Sequence, residues 1–172
     1  MSKGKVILVR GVSGSGKSHY VGELRSKYEK LTGSGPDFDI CSADHFFMQM
    51  IPSVDLGKAP SRMEYVFDPT KLGQAHVYCF SRFLDAIKDG TSVVVVDNTF
   101  IHHWEMKNYV KAANFADYDV EYHEFRVETI DQLRMIAARN VHRVPAEVVA
   151  KMAMEFQPMA CAYVIPIWDG SK

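Results

Sequence analysis

The chain has 172 residues, 47% of them hydrophobic and 24% charged, ordinary values for one globular domain with a real core. Its formal charge of −1 excludes a diffuse basic surface, so any contact with nucleic acid must be local. Three cysteines (Cys41, Cys79 and Cys161) make no C-x-x-C pair and cannot all be bridged, MSKGK leads straight into the first strand, and no apolar run nears the ~18 residues of a spanning helix. Reduced thiols, a cytoplasmic location and no membrane partner are therefore expected, and with no repeat or low-complexity tract residues 1–172 are expected to form a single domain.

Lys5 to Arg10 is mostly β-branched or aliphatic and predicts a buried strand. The next eight residues, Gly11, Val12, Ser13, Gly14, Ser15, Gly16, Lys17 and Ser18, spell G-x-x-x-x-G-K-S, the phosphate-binding loop. A triphosphate needs many donors at close range, and only a tight Gly-rich turn can aim consecutive backbone N–H groups inward. Lys17 is expected to reach the β/γ-phosphates and Ser18 a Mg²⁺, with the following helix adding its N-terminal dipole.

Ser18 to Leu31 carries Tyr20, Val21, Leu24, Tyr28 and Leu31 at helical spacing, and TGSGP (32–36) stops that helix. Phe38 to Ser42 predicts a second strand, which places Asp44 just past its carboxyl end, where open α/β sheets bind ligands. The apolar stretch His45 to Ile51 predicts a short helix, and the irregular text from Pro52 to Met63 predicts a flexible loop, around 52–66, over an acceptor site. Asp68-Pro69 opens a helix to about Lys88 with Leu72, Ala75, His76, Cys79, Phe80, Phe83, Leu84 and Ile87 on one face.

Ser92 to Val96 (SVVVV) predicts a strand buried on both faces that delivers Asp97, Asn98 and Thr99 to the carboxyl edge of the sheet, beside the phosphate loop. A strand-end Asp there partners the metal, which makes Ser18 and Asp97 the expected Mg²⁺ site. Then follow a helix from Trp104 to Phe115, a strand from Val120 to Val127, a helix from Ile130 to Asn140 capped by Thr129, a helix from Val144-Pro145 to about Phe156, and a last short strand from Tyr163 to Ile167. Strands alternating with helices imply parallel β-α units.

Phosphoryl transfer needs a phosphate cradle, a metal, a group to deprotonate the acceptor hydroxyl and positive charge over the transferring group. Gly11 to Ser18, the Ser18 and Asp97 pair, Asp44, and Arg139 with Arg143 are the four candidates. In this order GVSGSGKS, ICSADHF, VVVVDNT and ARNVHRVP resemble the polynucleotide-kinase-like branch of P-loop kinases, related to AAA-type and zeta-like small ATP-binding kinases. The match covers most of Lys5 to Phe156. This resemblance implies a three-layer P-loop NTPase fold, α/β, with a five-stranded parallel sheet of order 2-3-1-4-5 and helices on both faces. It also implies ATP with Mg²⁺ as cofactors, Asp44 as the base, Arg139 to Arg143 within a lid around 139–145, and a 5′-end hydroxyl on nucleic acid as acceptor; a hydroxymethyl group on a modified base, unstacked into an aromatic pocket, is the other nucleic-acid acceptor expected.

Phage polynucleotide kinases carry an arginine three residues after the base, where it holds the acceptor's phosphate; this chain has Phe47 there. Aromatic contact in place of the ion pair makes Phe47, with Asn98 and Thr99, the candidate acceptor contacts, although core packing is the first expectation for Phe46, Phe47, Tyr65, Phe67 and Trp104. A nucleoside or small-metabolite kinase and a nucleotide-binding ATPase module stand as alternatives. Asp44 is also placed to cap the turn that follows it, Asp97 with Asn98 to make a turn, and the two arginines to sit at a solvated helix end. His76 is expected as a hydrogen-bonded core histidine, and His102 and His103 lack the spaced partners of a zinc site.

Overall fold

The computed structural model describes residues 2–32, 37–51, 62–139 and 144–167. The elements are β1 (Gly4–Gly11), α1 (Lys17–Thr32), β2 (Phe38–Cys41), a 3₁₀ turn (Ala43–Phe47), β3 (Met48–Ile51), β4 (Arg62–Tyr65), α2 (Leu72–Lys88), β5 (Val93–Asp97), α3 (His103–Phe115), β6 (Tyr118–Phe125), α4 (Ile130–Ala138), α5 (Ala146–Glu155) and β7 (Tyr163–Val164). Five strands make one parallel sheet in the order β2-β5-β1-β6-β7. Counted along the chain within that sheet, the order is 2-3-1-4-5, as expected.

Both central strands are buried on both faces because helices cover the sheet front and back. On β1, Val6 and Leu8 face one way, and on β5 so do Val94 and Val96; they pack with Ala75, Cys79 and Phe83 of α2 and Met106 and Tyr109 of α3. Ile7, Val9, Val93 and Val95 alternate to the other face, against Val21, Tyr20, Leu24 and Tyr28 of α1. A third cluster joins Val12 of the phosphate loop to Ile101, Ile136 of α4 and Val149 of α5. The last two helices are thereby packed onto the loop itself.

Several local expectations are corrected by tertiary packing. Residues 45–51 do not form a helix: the 3₁₀ turn ends at Phe47, and Met48–Ile51 pairs antiparallel with Arg62–Tyr65, because a partner strand outweighs local apolar patterning. Residues 62–65, expected within the loop around 52–66, are that partner strand; 52–61 lie outside the described residues. His76 is exposed rather than in the core, since α2 buries the row Ala75, Cys79, Phe83, Ala86 and Ile87 and leaves His76 a step around the helix. Leu72 and Leu84, expected on the buried face, are 41% and 39% exposed, and Leu31 at the end of α1 is exposed. β6 begins two residues earlier than expected, and β7 is only two residues long, ending before Pro166.

Two caps follow the sequence reading. Thr129 accepts from the Gln132 N–H at 3.1 Å, and Asp68 accepts from the Thr70 N–H at 3.0 Å, opening the turn that leads into α2. Cys41, Cys79 and Cys161 are all free thiols. No helix among the described residues is long and apolar enough to cross a membrane.

Candidate active site

Between β1 and α1 the chain turns through Gly11 to Ser18. Gly11 has φ 149°, and a Cβ on it would stand 2.8 Å from the Cβ of Phe125, so the strand can enter the loop there only without a side chain. The Gly11 N–H donates to the Thr99 carbonyl at 3.0 Å, locking the loop to the end of β5. Lys17 Nζ donates to the carbonyls of Gly11 and Val12, each at 3.0 Å, curling back over the loop it follows. Burial pushes its ammonium below the ordinary range, while Asp97 and Asp44 pull it back up.

Ser18 Oγ donates to Asp97 Oδ2 at 2.9 Å. Burial raises the Asp97 carboxyl, opposed by Lys17 and by the Ser18 hydrogen bond. A hydroxyl and a carboxylate side by side at a helix N-terminus are a hard-oxygen pair suited to Mg²⁺. Ser15 Oγ is the one buried side-chain polar atom among the described residues with no hydrogen-bond partner. Such an orphan inside a glycine-rich loop that opens a helix fits a phosphate, so Gly11 to Ser18 would hold the triphosphate, and Ser18 with Asp97 the metal.

Arg139, the C-cap of α4, donates from Nε to the Gly14 carbonyl at 2.9 Å and from a terminal nitrogen to the Ser15 carbonyl at 3.3 Å. The guanidinium therefore rests on the rim of the phosphate loop. Arg143 lies outside the described residues, as does most of the expected lid, 140–143.

Asp44 occupies the 3₁₀ turn after β2, and its N–H donates to the Ser42 hydroxyl at 3.2 Å. The expected capping is thus done by Ser42. The Ala43 N–H donates to Asn98 Oδ1 at 3.0 Å, which sets the Asp44 turn beside the end of β5, and the Asp44 charge acts on both Lys17 and Asp97. Tyr65 OH donates to Asp44 Oδ1 at 3.0 Å.

A glycine-rich loop opening a helix, a Ser and Asp pair across it, and an Asp past the neighbouring strand complete the site. The chain belongs to the AAA domain family. That family's sequence profile matches residues 6–159, from β1 through the segment after α5. The chain is also similar to human NEDD4-binding protein 2, 28% identical over 160 residues that make up 93% of this chain and 8% of that protein. Among solved structures, Chaetomium thermophilum Kti12 in complex with ADP-AlF3 superposes with a TM-score of 0.61 at 13% identity, over 95% of this chain and 89% of that one. A gluconokinase from Sinorhizobium meliloti 1021 gives 0.53 at 14% identity, over 97% and 85%. At such identities these neighbours establish a shared P-loop kinase-like fold.

Within this AAA domain, the expected acceptor contacts fare unevenly. Phe47 is only 2% exposed, edge-on to Phe46 and Tyr65 and packed on Phe67, so it forms the floor of the Asp44 region and offers no face to an acceptor. Asn98 is equally occupied: its Oδ1 accepts from the Ala43 N–H at 3.0 Å and its Nδ2 donates to Cys79 Sγ at 3.3 Å. It tethers the turn that carries Asp44. Thr99 is half-buried and its carbonyl holds Gly11. Neither histidine of the 102–103 pair points to chemistry at the cleft: the His102 N–H donates to Glu105 at 2.8 Å, and His103 Nε2 donates to the Gln157 carbonyl at 2.9 Å. Trp104, far from core packing, is 73% exposed.

A buried ion network beside the loop was not legible beforehand. Arg10, the residue before Gly11, and Glu124 on β6 are both 0% exposed and pair at 2.8 Å. Arg10 also donates to the carbonyls of Phe100, at 2.9 and 2.6 Å, and Ile101, at 3.1 Å. Glu124 in turn accepts from Arg126 at 2.7 Å and from the Met159 N–H at 2.9 Å. Phe100 has φ 41°, unusual for a bulky residue, and the two bonds from Arg10 hold it there. The network fixes the course of the chain from Asp97 to Ile101 under the phosphate loop.

Proposed function

We propose that the protein is an ATP-dependent kinase that moves the γ-phosphate of ATP to a hydroxyl on nucleic acid, with Mg²⁺ as cofactor. The observation that carries this reading is that Asn98, next to Asp97, holds the Ala43 N–H at 3.0 Å and so sets the Asp44 turn beside the metal pair: a carboxylate outside that pair is what a kinase needs and a simple nucleotide-binding switch does not. Mg²⁺ on Ser18 and Asp97 would neutralise the charge of the phosphates. Lys17 and the loop amides bind and orient the γ-phosphate, and Arg139, on the loop rim, adds positive charge over it. Asp44 accepts the acceptor's proton as the hydroxyl oxygen bonds to the terminal phosphorus and the bond to the leaving diphosphate breaks.

Support for a nucleic-acid acceptor comes from the motif resemblance and from the aromatic setting of Asp44. Phe67, 46% exposed and stacked beside Tyr65, offers an aromatic surface that the buried Phe47 does not. The test is incubation with γ-labelled ATP, Mg²⁺ and a panel of 5′-hydroxyl RNA and DNA, DNA bearing hydroxymethyl bases, and free nucleosides. Label on a polymer is the expected result. Label on nucleosides alone would assign a small-metabolite kinase, and label released only as inorganic phosphate would assign an ATPase module.

A further inference from the structure

Asp44 sits in a five-residue turn whose backbone is tied at two points, by the Ser42 hydroxyl and by Asn98 through the Ala43 N–H. Those bonds place the Cα of Asp44 without setting the rotation of its carboxylate. A bond to the carboxylate itself comes from elsewhere in the chain. Tyr65, 21 residues along the chain, reaches Oδ1 at 3.0 Å.

The residue that makes this bond is itself held by a small frame. Tyr65 lies opposite Met48 in the β3 and β4 pair, and the Val66 N–H extends the pairing to the Phe47 carbonyl at 2.8 Å. Its ring is edge-on to Phe47, with centroids 6.0 Å apart at 69°, and near-parallel to Phe67, 6.4 Å away at 9°. Phe47 belongs to the same turn as Asp44, so one short turn carries both the ring that buttresses the phenol and the carboxylate that accepts its hydrogen bond. Burial and the neighbouring Asp44 charge both push the Tyr65 hydroxyl upward, so it remains a donor at neutral pH.

We propose that Tyr65 is a positioning residue for phosphoryl transfer: its hydroxyl holds the Asp44 carboxylate toward the phosphate loop, and the β3 and β4 pair is the arm that brings the hydroxyl there. The inference rests on the reading of Asp44 as the base. It gives the hairpin a task within the reaction, since a base must be held close to its working geometry before the acceptor arrives.

Tyr65→Phe removes one oxygen and keeps the ring between Phe47 and Phe67. With a 5′-hydroxyl oligonucleotide and γ-labelled ATP as probes, the variant should lose about 10- to 100-fold in kcat with the KM for ATP unchanged, and its thermal midpoint should stay near that of the parent. In an Asp44→Asn background the same change should cost little further, because Tyr65 acts through Asp44. A loss of equal size in both backgrounds, or no loss in either, overturns the proposal. Crystal structures of the parent and Tyr65→Phe proteins decide it independently of the acceptor: the Asp44 carboxylate should rotate away in the variant, and an unchanged carboxylate overturns the proposal even if rates fall. Should Asp44→Asn alone leave transfer intact, the base assignment fails, and the crystal pair still judges the Tyr65 contact by itself.

Discussion

Around the phosphate loop the parts are held mainly by backbone, and around Asp44, the proposed acceptor side, by side chains from far along the chain. Gly11 to Ser18 is bound at one end to Thr99 by a main-chain hydrogen bond, opens directly into α1, and is crossed by Lys17 from within its own span. Asp44, by contrast, depends on Asn98, 55 residues from Ala43 in sequence, and on Tyr65 across a strand pair. The contrast teaches that the nucleotide half is built largely on a local motif, to which Arg139 and the Arg10 network add long-range support. The Asp44 half is a tertiary construction, assembled from residues far apart in the chain.

That comparison breaks first where the phosphate side ceases to be local, at the buried network. Glu124→Ala would leave the Arg10 guanidinium buried without its carboxylate, and we expect a loss of about 3–5 kcal/mol of stability, read as a fall of roughly 10 °C or more in the melting midpoint. A change within about 1 °C would mean that the network does not support the loop. Next in size, Lys17→Met should lower phosphoryl transfer by about 10²–10³-fold while leaving the fold intact by circular dichroism, since the donor it removes serves the transition state.

Asn98→Ala sharpens the acceptor side. It removes the side-chain carbonyl that satisfies the Ala43 N–H, and should cost about 1–3 kcal/mol in chemical denaturation together with a drop in transfer rate, ATP binding being unaffected. The smallest effect lies far from both halves. His123 is held below its ordinary range chiefly by burial, with Glu121 opposing, and its Nδ1 meets the Tyr20 hydroxyl at 2.8 Å. Because the folded state resists protonating this ring, the unfolded chain binds the extra proton as pH falls through and below 6.5, so stability should decline on that side and be fully present above it. His123→Gln should flatten the decline measured by thermal melts between pH 7 and 5.

The same contrast explains what could be read from the amino acids alone. The loop, its strand and helix, the Ser18 and Asp97 pair and the parallel β-α units were legible because motif spacing and strand-helix alternation encode them within short windows, whereas the sheet order came only from the family resemblance. Asp44 was legible as a residue past a strand end, though its neighbours were not. Phe47 follows Asp44 by three positions, and local spacing aimed it at an acceptor; packing against Phe46, Tyr65 and Phe67 turned it inward. Asn98 drew notice for its place beside Asp97, while its bond to Ala43 depends on how two strand ends meet. Nothing near Tyr65 in sequence announces a contact with Asp44, since the contact exists only once β3 and β4 pair. Arg10 ends a hydrophobic strand and reads as a strand-end cation until Glu124 on the adjacent strand is seen beneath the loop. His76 misled by a single helical step.

Asp44→Asn, assayed for label transfer from γ-labelled ATP alongside nucleotide affinity, bears most directly on the claim that a carboxylate outside the metal pair works on the acceptor. The account predicts a fall in transfer of about 10²–10⁴-fold with ATP affinity preserved. Transfer at the parent rate, with affinity equally preserved, would contradict it.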